Sequence, residues 1–236
     1  MKMKLTYRLR SAVLALIFSA LVNPASGESV ESRYRAHISV GGHAGWAMSQ
    51  MSFSPSVSQK WHNGITIGAT FRYQEEKLFG LIGELNFVQR GWVENIKGHP
   101  EMSYKRTLNY LTLPIMTHIS FGSRRFKGFV NLGPEVGVML SDNISSNFDY
   151  RHPYDADVPS NRQTEQMWAD ISSRLDYGIT AGLGGEYYLT PRQSVTLEVR
   201  FYYGLGNIYP SAKADTFSAS RSMTLAATLG YNFRLK

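Results

Sequence analysis

Val195-Thr196-Leu197-Glu198-Val199-Arg200-Phe201-Tyr202-Tyr203-Gly204-Leu205 carries an apolar or aromatic side chain at each odd position. Thr, Glu, Arg, Tyr and Gly fill the even ones. Alternation with period two sends successive side chains to opposite faces of a strand. One face of this strand is greasy and the other carries charge, so each must meet a different environment.

Seven further segments repeat the pattern. Ile38, Val40, Ala44, Trp46 and Met48 oppose His37, Ser39, Gly41, His43 and Gly45, and Ile65, Ile67, Ala69, Phe71 and Tyr73 oppose Gly64, Thr66, Gly68, Thr70 and Arg72. Phe79, Leu81, Leu85 and Phe87 oppose Glu84, Asn86, Val88 and Arg90, and Leu111, Leu113, Ile115, Ile119 and Phe121 oppose Thr112, Pro114, His118 and Ser120. The other three run over 130–140, with Glu135 on the polar face, 176–189, with Asp176 and Glu186 there, and 223–233. Each is about ten residues or longer, the length a tilted strand needs to cross a bilayer.

The connections alternate in length. Residues 49–62, 93–107, 141–173 and 206–221 are long and polar, whereas Gln74–Leu78, Gly122–Arg125 and Thr190–Gln193 are short. Long external loops alternating with tight periplasmic turns characterise outer-membrane barrels. Tyr73, Phe79, Phe121, Tyr187 and Phe233 fall beside short turns or the C-terminus and Trp46, Phe87, Tyr177 and Tyr203 beside long loops, all in the apolar register, as two interfacial girdles require.

The N-terminus points to the same compartment. Lys2, Lys4, Arg8 and Arg10 precede an apolar run from Ala12 to Val22, and Ala25-Ser26-Gly27 offers small residues for cleavage. The run is too short to span as a helix, which predicts a cleaved export signal over 1–27 and a single barrel domain over 28–236. Loss of the signal lowers the formal net charge from +7 to +3, and no basic stripe remains to suggest nucleic acid. The chain has no cysteine, which excludes disulfides, thiolate metal sites and thiol catalysis.

The expectation is an all-β, eight-stranded antiparallel up-and-down transmembrane β-barrel in the bacterial outer membrane, with strands from about 36 to 234. A lipocalin-like soluble barrel is the alternative, with the apolar face turned inward; the glycine, threonine and charge of the second face suit a polar membrane-barrel interior better.

Tyr110-Leu111-Thr112-Leu113-Pro114-Ile115, Leu132-Gly133-Pro134-Glu135-Val136-Gly137, the run Leu175–Gly184 and the segment Phe201–Ile208 resemble the PorT-like outer-membrane β-barrel proteins of Bacteroidetes-type bacteria. The likeness runs from about residue 36 to the end. It implies an eight-stranded barrel inserted by the general barrel-assembly machinery, in a family whose founding member is associated with type IX protein secretion. The terminal aromatic that assembly favours is Phe233, followed here by Arg234-Leu235-Lys236.

An eight-stranded interior is just wide enough for its own side chains. Arg72, Glu84, Arg90, Glu135, Glu186, Glu198 and Arg200 share the inward register and are expected to pair across the lumen. Pro114 and Pro134 lie inside strands and predict a bulge at each. His118, Ser120 and Glu135 suggest a hydrolase triad, but folding about Gly122–Arg125 sets His118 opposite residue 129 and leaves Glu135 about 20 Å away. His37 and His43 are separated by a similar length of strand, and Asp155 with Asp157 lack the other ligands of a calcium loop.

No cofactor and no catalytic residue is expected. The loop 141–173 holds Phe148, Tyr150, Tyr154 and Trp168, which are candidate contacts for a partner unless they pack over the barrel mouth. The expected role is a structural or interaction component in envelope maintenance or secretion, with outer-membrane lipid and an envelope or secretion-system protein as partners. A lipid A deacylase-like enzyme and a narrow solute or ion pore are the alternatives.

Overall fold

The computed structural model describes residues 36–96, 98–153, 163–213 and 215–235. The expected signal over 1–27, and Tyr154, Asp155 and Asp157, lie outside them. The strands are β1 (His37–Ser54), a two-residue β2 (Gln59–Lys60), β3 (His62–Gln74), β4 (Phe79–Glu94), β5 (Tyr104–Gly122), β6 (Phe126–Ser146), β7 (Leu175–Thr190), β8 (Gln193–Gly204) and β9 (Ala219–Arg234). A four-residue helix, α1 (Glu165–Trp168), lies between β6 and β7.

Apart from β2, which pairs beside β4, each strand pairs antiparallel with its chain neighbour. β1 closes the ring on β9, from Ser39↔Arg234 to Ser54↔Ala219. The result is an eight-stranded up-and-down barrel, with short turns at one end and long loops at the other.

The apolar register faces outward. Ile65, Leu183, Leu197 and Leu229 are 55, 64, 62 and 61% exposed, whereas Arg72, Glu84, Arg90 and Glu186 are 5% exposed or less. A soluble barrel exposing so much aliphatic surface would aggregate, and lipid is the solvent that suits it. The lipocalin-like arrangement is excluded by this orientation. Of the expected girdles, Tyr73, Phe79, Phe121, Tyr187, Phe233, Trp46 and Tyr177 are exposed, while Phe87 and Tyr203 are half-buried.

The interior depends on glycine where large polar side chains cross. A methyl group at Gly182 would overlap the Glu198 carboxylate, and one at Gly68 would overlap the Asn86 amide. The glycines of the polar face therefore make room for the charged groups beside them.

Three expectations need correction. The prolines do not produce bulges: register shifts occur instead at Asn109/Tyr110 and Tyr188/Thr190. Pairing of β5 with β4 is interrupted between Gly83↔Ile115 and Asn86↔Thr112, and with β6 between Pro114↔Glu135 and Thr117↔Leu132, with register kept. Each missing proline N–H is thus absorbed as a gap in a ladder. Second, Gly122 still pairs with Lys127, so His118 sits opposite Asn131 and Glu135 opposite Pro114; His118 and Glu135 are four residues apart along the ladder, about 13 Å.

Third, the strands outrun the lipid band. Outward-facing Gln89, Asn109 and Ser141 form a hydrogen-bonded polar row, at 3.1 and 2.7 Å. Beyond it the alternation inverts: Met51, Phe53, Trp92, Tyr104 and Leu108 point inward and are buried. The connections are accordingly shorter than expected, and 141–173 opens with six residues of β6 and contains α1.

Candidate functional site

Two structures fill the barrel from end to end. Within the band, three arginines hold five carboxylates. Arg72 on β3 crosses to Glu186 on β7, its Nη1 donating to both carboxylate oxygens at 2.9 Å. Ser194 donates to Glu186 at 2.6 Å.

Arg200 on β8 reaches Glu84 on β4 at 2.5 and 3.0 Å, and Glu198 two residues away on its own strand at 2.8 Å. Asn86 donates to Glu84 at 2.9 Å and Asn131 to Glu198 at 3.0 Å. Arg90 on β4 binds Glu135 on β6 and donates to Asp176 on β7 at 2.8 Å. Its guanidinium also lies over the ring of Tyr202, 3.8 Å from the centroid.

The structure thus joins the seven charges read from the inward register into three clusters and adds Asp176, which shares that register. Cross-lumen pairing follows from the closed ring: partners up to 116 residues apart face one another only once β1 has met β9. Between the clusters, cavities of about 20 and 30 Å³ leave room for no more than a water or two each. Among the described residues no group of three or more His, Asp or Glu is arranged to hold a metal.

The triad residues do not converge. His118 Nδ1 is 2.7 Å from Asn131 Oδ1, Ser120 accepts from Gln74 at 3.1 Å, and Glu135 is held by Arg90.

Above the band a second, apolar structure closes the mouth. Phe53 meets Trp92 edge-on at 5.5 Å, stacks with Tyr209 at 6.2 Å and lies tilted against Phe217 at 5.0 Å. The loop after β6 folds back over these rings and buries Met167 of α1 completely. Arg106 on β5 clamps it. Nε donates to Asp142 at 2.9 Å, and Nη1 to the carbonyls of Gln166 and Ala169 at 3.3 and 2.9 Å and to the Tyr209 hydroxyl at 2.8 Å. Tyr104 and Tyr209 donate to the carbonyls of Met167 and Gln166 at 2.7 and 2.8 Å.

The loop aromatics therefore divide. Phe148 and Tyr150 pack against the cap, Tyr150 with its ring 5.8 Å from that of Tyr104. Trp168 is 49% exposed.

His62, at the top of β3 and above the polar row, is buried between Thr107 Oγ1 at 2.8 Å and Ser49 Oγ at 3.4 Å. Burial, and next the nearby charge of Lys105, lower its pKa from 6.5 to about 4. The folded strand ends around His62 therefore prefer neutral imidazole. Its contribution is complete above about pH 6.5 and is lost as pH falls toward 4, amounting to roughly 2–3 kcal/mol. Urea unfolding in vesicles should need less denaturant below pH 6 in the natural protein, and the acid effect should be smaller in His62→Gln; equal acid sensitivity would remove His62 as the cause.

The sequence profile of a family described as outer membrane protein beta-barrel domain matches residues 27–209. No curated protein matches the chain. Among solved structures, the outer membrane protein OprG of Pseudomonas aeruginosa is 14% identical, with 85% of this chain and 95% of OprG covered and a TM-score of 0.50. Neisserial surface protein A is 15% identical, covering 85% and 99% at a TM-score of 0.43. Ail of Yersinia pestis, solved with the heparin analogue sucrose octasulfate, is 14% identical, covering 84% and 99% at 0.42. At such identities the likeness to OprG speaks for the barrel fold alone.

Proposed function

Since this chain belongs to the outer membrane protein beta-barrel domain family, we propose that it is a non-conducting outer-membrane barrel acting as a structural or interaction component, whose working surface is its capped extracellular end. The observation that carries this reading is the double closure: Arg–carboxylate clusters cross the lumen, and Arg106 ties α1 down over the aromatic rings of the mouth. An interior so filled favours a scaffold over a conduit.

The resemblance to PorT-like proteins supports a place in protein secretion or envelope maintenance, with an envelope or secretion-system protein as partner. The basic, apolar and small-residue regions of 1–27 support export by a cleaved signal. Exposed Trp168 is the cap residue best suited to a protein contact.

Purified protein in planar lipid bilayers should show no steady conductance; persistent single-channel steps would replace this reading with a pore. A photo-reactive residue at Trp168 should cross-link to one discrete envelope protein in cells. The same group at Leu183, on the lipid face, should not.

A further inference from the structure

Charge is distributed unevenly along the barrel axis. On the extracellular side of the described residues basic and acidic groups balance, and in the lumen carboxylates outnumber guanidiniums. The short-turn end is different. Arg124 and Arg125 in the β5–β6 turn, Arg192 in the β7–β8 turn and Arg234 at the end of β9 follow one another along the rim, and among the described residues no Asp or Glu lies in these turns. Glu186, on β7 near this arc, is 2% exposed and committed to Arg72 inside the lumen. Glu75 and Glu76 lie on the other side of the rim, in the β3–β4 turn beside Lys77.

Hydrogen bonds fix the arc as one continuous surface. Tyr188 N donates to Arg125 O at 2.9 Å, which ties the β5–β6 turn to β7. Arg234 N donates to Arg192 O at 2.7 Å, which ties the C-terminal strand to the β7–β8 turn. Among the described residues none of the four arginines makes an ion pair, although the lumen arginines are all paired.

The level of the arc is set by its neighbours. Phe121, Phe126, Tyr187 and Phe233, on the same strands, point outward and are 53, 57, 48 and 36% exposed. Outward aromatic rings at a barrel end mark the headgroup boundary. Four guanidiniums next to that boundary reach the phosphate layer of the leaflet on the short-turn side whenever the barrel spans. Guanidinium is also the side-chain group whose fork matches a phosphate.

We propose that this arc is a binding surface for anionic glycerophospholipid headgroups in the periplasmic leaflet, recruiting them to one side of the barrel. The arc holds the lipid by phosphate contacts from the arginines, and the girdle rings pack against the acyl-chain ends next to the headgroup. The inference rests on the spanning orientation and is independent of which partner the capped end binds.

The test uses the mature chain reconstituted in mixed phosphatidylcholine and phosphatidylglycerol vesicles, with spin-labelled versions of each lipid reporting their relative association with the protein. Phosphatidylglycerol should be preferred by about fivefold or more, the size expected for cationic side chains at an anionic membrane surface, and the preference should fall with added salt. The R124Q/R125Q/R192Q/R234Q variant should lose the preference, while K77Q, on the mixed-charge side, should keep it. Heat-modifiable gel mobility shows that each variant is folded.

Equal association of the two lipids with the natural protein overturns the proposal, as does a preference that survives in the folded quadruple variant. Arginine-dependent binding of polyglutamate without any lipid preference overturns the lipid assignment in favour of an acidic protein. Planar-bilayer conductance reports on the lumen alone, so a pore found there leaves this test standing.

Discussion

Arg90→Leu should lower the unfolding free energy of the barrel by about 3–5 kcal/mol, the usual cost of stranding a buried charge by removing its partner. The arginine is 2% exposed and binds two carboxylates from different strands, Glu135 on β6 and Asp176 on β7. Leucine fills much of the space yet leaves both carboxylates facing each other in a lumen with almost no water. Loss of the guanidinium also uncovers the Tyr202 ring 3.8 Å below it, a contact worth about 1–2 kcal/mol where it is desolvated.

The informative companion is Arg90→Leu with Glu135→Gln and Asp176→Asn. Once no charge is left unpaired, most of the loss should be recovered, because a buried ion pair contributes less to net stability than the penalty for breaking it. Urea unfolding in phospholipid vesicles, followed by tryptophan fluorescence, measures both. A triple variant as unstable as the single one would show that the arginine acts through shape and the Tyr202 contact alone.

What the sequence discloses, and what it conceals, follows the lipid boundary. Inside the band the environment is uniform on each face, so period-two alternation reports both the strand and its orientation: Leu197 and Val199 point out, and Glu198 and Arg200 point in. The inward register therefore gathers Arg72, Glu84, Arg90, Glu135, Glu186, Glu198 and Arg200 on one face, and the structure adds Asp176 to them. Which charges pair is another matter, since Arg200 meets Glu84 only through closure of the ring.

Above the band the same period carries the opposite meaning. Tyr104, Arg106, Leu108 and Tyr110 occupy the inward face while Lys105, Thr107 and Asn109 turn outward, a soluble-barrel pattern on a membrane strand. Reading for apolar-out alternation stops where that inversion begins, so the strand extensions look like polar loop and the cap goes unseen. The inversion itself is the sequence signal: Trp92, Tyr104 and Leu108 are too large and apolar for an ordinary extracellular loop. The loop packing of Met167 against these residues has no local signature, because one buried methionine between two polar stretches is invisible to periodicity.

Arg106→Ala should release the cap without unfolding the barrel. The side chain gathers the carboxylate of Asp142, two carbonyls flanking and within α1, and the Tyr209 hydroxyl. Those acceptors lie on β6, the loop before β7 and the loop before β9, three segments that the lipid-embedded ladder does not hold together. A four-residue helix has no stability of its own, so its position depends on this clamp and on Met167. Removing the guanidinium strands the Asp142 carboxylate, which is one-quarter exposed and partly rescued by water, and takes the Arg106 donor from the Ala169 carbonyl, leaving that of Gln166 to Tyr209 alone. The expected cost is about 2–4 kcal/mol, felt locally in cap opening. Limited proteolysis should then cut between β6 and β7 at least tenfold faster, while heat-modifiable mobility and the fluorescence of the lipid-facing girdle stay unchanged. Arg106→Lys should rescue little, because one ammonium cannot reach acceptors on three segments at once. If Arg106→Lys protects the loop as well as arginine does, positive charge alone holds the cap and the fork geometry is incidental; if Arg106→Ala leaves the cleavage rate unchanged, the aromatic cluster of Phe53, Trp92, Tyr209 and Phe217 closes the mouth unaided.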